Sequence, residues 1–141
     1  MASIPEIQAQ IVEDFSFLPE WDERYAYLIE LGQKVPPLPE EYRTEDNIVQ
    51  GCQSLVWLQR ECRQGDVYLQ SDSDSLIVKG LAALLLQVFS GQPAEEVLTA
   101  DLTFFKEIGL DKHLSSQRAN GLLAMVEQIK AFAAQCAQEK D

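Results

Sequence analysis

Cys52 is the first residue whose type and setting suggest chemistry. It follows Gly51 and precedes Gln53-Ser54, at a turn that enters a strand-rich stretch. A thiol at a turn can reach solvent or a partner, and neighbouring backbone N–H groups can favour its thiolate. The other two cysteines read differently: Cys62 falls on the same strand face as Val56 and Leu58, and Cys136 continues an apolar helical stripe. Both are expected to pack as small apolar side chains. An odd cysteine count without a short CxxC spacing does not look like a disulfide framework. Cys3His zinc is arithmetically available with His113, but no two of the four lie within the two to four residues that structural zinc prefers, so no metal is expected.

Arg118 and Gly121 break local rules. Arg118 falls in the first turn of the last helix, where the dipole disfavours a cation by up to ~1 kcal/mol. Gly121 sits one turn in, where glycine costs about 1 kcal/mol relative to alanine. Two violations three residues apart suggest a site or a close backbone approach. These violations lead to the expectation that the Cys52 loop packs near this turn, bringing Arg118, Asn120 and Gly121 close to the sulfur. His113, the single imidazole, reads as a residue of a solvated turn. Trp57 reads as core, and Asp72 and Asp74 as a helix cap. No GxSxG, P-loop, GxGxxG or HExxH occurs.

The elements that must position these residues follow from periodicity. Ser3 and Glu6 have the spacing of a capping box before Ile4, Ile7, Ile11 and Phe15. A second helix is expected from Pro19, with Trp21, Tyr25 and Leu28 on one face and Gly32 as its stop. After the extended Val35-Pro-Pro-Leu-Pro39, residues 54–62 and 66–71 read as a hairpin across Gln64-Gly65. Asn47 to Gly51 is the candidate third strand. Asp72-Ser-Asp74 then caps a helix from about Ser75 to Phe89, in which eleven of the fourteen residues from Leu76 onward are apolar. Short pieces at 93–98 and 102–107 precede a long helix from about Ser115 to Ala137. The fold class is α+β: a small antiparallel sheet of about three strands packed against helices, as one domain over residues 1–141.

Composition bounds the function. The 141 residues carry 11 Lys+Arg against 23 Asp+Glu, a net charge of −12. Of this, −8 falls in residues 1–46, where 11 acids face only Arg24, Lys34 and Arg43. Such a surface opposes nucleic acid and anionic lipid, and suits water or a basic protein partner. The apolar run from Leu76 to Phe89 is 14 residues and holds Lys79 and Gln87, too short and polar to span a bilayer. The start, MASIPEIQAQIVEDF, has no basic n-region, so no signal peptide is expected. The chain reads as cytoplasmic, with reduced thiols.

Four blocks resemble one family. Asn47-Ile-Val-Gln-Gly-Cys-Gln-Ser-Leu-Val-Trp-Leu58 is similar to the cysteine motif of the SufE family of sulfur-acceptor proteins. Tyr25-x-x-Leu-Ile-Glu-Leu-Gly32, Asp72-Ser-Asp-x-x-Ile-Val-Lys-Gly80 and His113-Leu-Ser-x-x-Arg-x-Asn-Gly121 extend the likeness in order along the chain. The resemblance implies a fold like the IscU/NifU scaffolds. It also implies a function: accepting persulfide sulfur on Cys52 from a pyridoxal-phosphate cysteine desulfurase of the SufS type, stimulating it, and passing the sulfur to a SufBCD-type scaffold. The chain itself would need no cofactor and would not be a stand-alone catalyst. Arg118 would favour the thiolate, with Gly51, Gln53, Ser54, Asn120 and Gly121 in support. The alternatives are an IscU-like scaffold or metal-binding protein, disfavoured because the extra motif cysteines are missing, and a regulator of the desulfurase that carries no sulfur.

Overall fold

A computed structural model describes residues 2–139. Helix α1 (Ile4–Ser16) opens with the reciprocal cap, Ser3 Oγ accepting from the Glu6 N–H and Glu6 accepting from the Ser3 N–H. Helix α2 (Trp21–Gln33) begins two residues beyond Pro19, and Gly32 lies inside it rather than ending it. The reason is steric. A Cβ on Gly32 would come within 2.9 Å of the Gly80 nitrogen, and one on Gly80 within 2.6 Å of the Leu28 carbonyl carbon. The two glycines let α2 and α3 (Leu76–Phe89) touch backbone to backbone.

The hairpin pairs β1 (Val56–Arg63) with β2 (Asp66–Ser73) in antiparallel register, Leu58 opposite Ser71 and Cys62 opposite Val67. Gln64 and Gly65 both have left-handed φ, +52° and +85°, the backbone of a two-residue turn that follows the strand twist. Val56, Leu58, Val67 and Leu69 turn inward onto the helices.

The sheet has three strands, but the third is not Asn47–Gly51. It is β3 (Gln92–Pro93), which follows α3 and pairs with β2 at Asp66 and Val67. The segment before Cys52 forms a 3-10 turn over Glu45–Asn47 and makes one bridge, Ile48 to Trp57.

The cap of α3 is also displaced. Ser75 Oγ accepts from the Val78 N–H, while Asp74 accepts from the Leu55 N–H. Asp72 stays in β2, where Arg43 and Lys79 pair with it and the Ser73 N–H donates to it. Burial pushes the Asp72 carboxyl up, but these three donors outweigh it and hold the pKa below the ordinary value. Arg43 also lies over the half-buried Trp57 ring at 4.8 Å, so Trp57 is a platform for a cation rather than full core.

The remaining chain runs through α4 (Ala94–Thr99), α5 (Phe104–Glu107), the one-turn α6 (Leu110–His113) and α7 (Ser116–Gln138). One cluster of buried side chains, including Phe15, Leu28, Leu58, Leu81, Phe89, Phe104 and Ile129, joins the helices to the inner face of the sheet. No helix among the described residues is long and apolar enough to cross a membrane.

Cys62 and Cys136 are not separate packed thiols. They form a disulfide, with Cα atoms 5.6 Å apart, between the end of β1 and the last turns of α7. The expectation of three reduced thiols is thereby corrected. Both side chains sit on inward faces, and 74 residues of chain return α7 alongside the hairpin to bring them together.

Candidate functional site

The Cys52 loop is held at both ends and open between them. On one side Val49 is buried and its N–H donates to the Val56 carbonyl at 2.9 Å. On the other, Leu55 is fixed to the β2–α3 junction: its N–H donates to Asp74, and its carbonyl accepts from Ser73 Oγ and from the Asp74 N–H. At the crest, Gly51 takes φ +91°, which turns the chain and presents Cys52 to the flank of α7.

That flank is Gly121. The Cys52 thiol donates to the Gly121 carbonyl at 3.6 Å, and a Cβ built on Gly121 would lie only 3.1 Å from the sulfur. A side chain here would press on Cys52. The glycine that weakens α7 makes room for the thiol.

The loop and α7 enclose a cavity of about 330 Å³. Val78 and Leu81 of α3 with Leu122 and Met125 of α7 form its apolar part; Gln53, Ser54, Ser115, Gln117 and Arg118 form its polar part. Cys52, Gln53, Ser54, Arg118 and Gly121 are thus brought together. Gly51 lies beside Ala124, one step from the cavity. Asn120 is exposed and does not line it.

The N-terminal end of α7 is fixed from outside the cavity by contacts that the sequence reading missed. His113 stacks on Trp21 with ring centroids 3.9 Å apart, and the Tyr25 hydroxyl donates to the His113 carbonyl. His113 is exposed just before α7, as expected, but it closes a one-turn helix clamped against α2 rather than a loose turn. Tyr25 and His113 fall in blocks of the family likeness, which was the available signal. Ser115 then caps α7, its Oγ accepting from the Arg118 N–H at 3.2 Å.

Cys52 is half-buried and is the free cysteine among the described residues. Burial pushes its thiol pKa above the ordinary value, and desolvation is the cause. Arg118 does not reverse this: it is exposed on the cavity wall, and the resting thiol is held neutral. The arrangement can do nucleophilic sulfur chemistry once the thiol is released from this shelter. Among the described residues, no three His, Cys, Asp or Glu side chains are grouped to hold a metal.

Comparison with known proteins agrees with the likeness seen in the sequence. The family model for SufE, an Fe-S metabolism associated domain, matches residues 9–133. An uncharacterised SufE-like protein of Rhizobium meliloti is 49% identical over 130 residues, covering 88% of this chain and 92% of that relative. One from Rhizobium etli is 47% identical over 127 residues, covering 86% of this chain and 85% of that relative. Among solved structures, the solution structure of a hypothetical protein from Thermus thermophilus superposes with a TM-score of 0.77 at 28% identity, covering 94% of this chain and 96% of the other. With a family match over most of its length and relatives at nearly half identity, this chain belongs to the SufE family and to iron–sulfur metabolism.

Proposed function

We propose that the chain is a sulfur carrier, which takes sulfane sulfur onto Cys52 from the persulfide of a SufS-type cysteine desulfurase and thereby speeds that enzyme. The observation that carries this reading is the sheltered free thiol on an end-anchored loop, opening into a cavity that is apolar on one side. In the transfer, the Cys52 thiolate attacks the outer sulfur of the donor persulfide and the donor's inner sulfur leaves as thiolate with the bonding pair. The proton lost by Cys52 balances the one taken up by the leaving thiolate. Cys52 then carries S–SH, and a second exchange delivers that sulfur to a SufBCD-type scaffold in the cytoplasm. The pyridoxal phosphate belongs to the desulfurase; this chain contributes a thiol and its setting, not a catalyst that turns over alone.

Shelter and transfer make opposite demands. Burial keeps the resting thiol protonated and away from stray thiols, whereas attack needs a thiolate inside another protein. A loop anchored at Val49 and Leu55, its crest resting on Gly121 and Ala124, meets both demands if partner contacts select its outward state. Leu55 at the end of this loop is exposed at 38%, and Leu76, two residues beyond the Asp74 that holds Leu55, at 58%; both offer apolar surface for such contacts. Arg118 on the cavity wall would then meet the persulfide anion.

Desulfurase turnover on L-cysteine, with and without this chain, tests the reading. Wild type is expected to stimulate turnover and Cys52→Ser to abolish stimulation. Full stimulation by Cys52→Ser would make the chain a regulator without a sulfur-carrying step. The scaffold reading is weaker because Cys136, fifteen residues along α7 from Gly121, and its partner Cys62 lie too far from Cys52 to ligate one cluster with it.

A further inference from the structure

We propose that Cys62 and Cys136 are a redox-reversible modification site, whose disulfide staples α7 to the hairpin while Cys52 remains a thiol. The two sulfur chemistries are kept apart by the helix itself. Gly121 touches Cys52 and Cys136 lies fifteen residues further along α7, which is about 22 Å of helix. In the folded chain a persulfide on Cys52 therefore cannot be resolved by either member of the pair. A carrier with a second thiol nearby would close an internal disulfide and expel its sulfur as sulfide. Here that reaction is blocked by distance.

Reversibility follows from where the pair sits. Cys62 is half-buried at the end of β1, next to the hairpin turn, within reach of a small thiol or disulfide. Cys136 is fully buried but lies in the last turns of α7, which ends at Gln138. Fraying of a helix end opens such a residue without unfolding the domain.

The redox partner is a low-molecular-weight disulfide, RSSR. The Cys62 thiolate attacks one sulfur of RSSR, releasing RS⁻ and leaving a Cys62–S–SR mixed disulfide. The Cys136 thiolate then attacks the Cys62 sulfur and expels the second RS⁻. The two RS⁻ take up the two protons lost by the cysteines, giving two RSH. The pair is oxidised by two electrons and RSSR is reduced by two. An excess of dithiol drives the reverse.

The staple closes a long loop, with a sequence separation of 74. For such a loop the chain-entropy estimate corresponds to a melting temperature roughly 10–15 °C higher for the oxidised form. The test uses the full chain, incubated without denaturant in dithiothreitol or in oxidised glutathione, then alkylated, melted and peptide-mapped. Expected are a linked Cys62–Cys136 peptide pair after oxidised glutathione, its loss after dithiothreitol, and a lower melting temperature on reduction that reoxidation restores. Cys62→Ser and Cys136→Ser should each melt like the reduced chain and ignore dithiothreitol, while Cys52→Ser should keep the redox-dependent shift. The proposal is overturned if the linked pair never forms, if it yields to dithiothreitol only in denaturant, or if reduction leaves the melting temperature unchanged. None of these outcomes depends on sulfur transfer at Cys52, so failure here and failure of the carrier reading are separable.

Discussion

Gly121→Ala is the substitution that most directly probes how the thiol is sheltered. The new methyl would stand 3.1 Å from Cys52 Sγ, against roughly 3.5–4.0 Å for a comfortable contact, so the sulfur must retreat by about half an ångström. It can do so, because the loop is anchored at Val49 and Leu55, and its crest is held by the thiol's bond to the Gly121 carbonyl and by side-chain packing that can shift. Alanine at this helical position returns about 1 kcal/mol of helix propensity, which offsets the lost sulfur contact and leaves stability within about 1 kcal/mol of wild type. The displaced thiol is less buried, and burial is what raises its pKa. A raised thiol pKa means fewer thiolates at a given pH, so relief of that burial speeds alkylation at any pH below the ordinary thiol pKa. The assay is the iodoacetamide rate of Cys52 against pH, with the unfolded chain as reference. Wild type should show a midpoint above the unfolded reference, and Gly121→Ala one shifted back toward it. An unchanged or slower rate in a folded variant would refute the reasoning, as would a loss of more than about 3 kcal/mol, which would mean that the loop cannot yield.

Other consequences follow from the packing and charges. Gly80→Ala forces a methyl against the Leu28 backbone, which cannot give way, and should cost about 3 kcal/mol in denaturant melts; a cost below about 1 kcal/mol would mean that α2 and α3 slide apart freely. Asp72 is held below its ordinary pKa, so its contribution is present above the unfolded value near 3.8 and is lost as pH falls through the folded value. Stability curves of wild type and Asp72→Asn should therefore differ at neutral pH and converge in acid, and a constant gap would contradict the pairing with Arg43 and Lys79. Arg118→Ala should leave the melting temperature nearly unchanged and slow persulfide acceptance, and unaltered acceptance would remove Arg118 from the transfer.

What the sequence made legible was mostly local. The Ser3–Glu6 cap, the Gln64-Gly65 turn and the apolar faces of α3 and α7 each depend on residues within a few positions, where propensity and periodicity act. The glycine inside α7 was a sign that something approaches there, and the structure shows Cys52 Sγ in that place. Misread features depend on distant partners. Asp72 has the local look of a cap, but Arg43, 29 residues away, and Lys79 hold it in β2. The third strand is only Gln92–Pro93, too short for any alternation to show. Nothing local distinguishes a cysteine that packs from one that meets a second cysteine 74 residues later, so the Cys62–Cys136 pair emerged only once α7 lay along the hairpin.

The central claim is that Cys52 alone carries the sulfur. The most direct measurement is the mass of the chain and of its cysteine peptides after incubation with desulfurase and L-cysteine. The account expects a gain of one sulfur atom, confined to the Cys52 peptide, lost on reduction and missing in Cys52→Ser. No gain in the wild type, or sulfur on the Cys62 or Cys136 peptide instead, would contradict it.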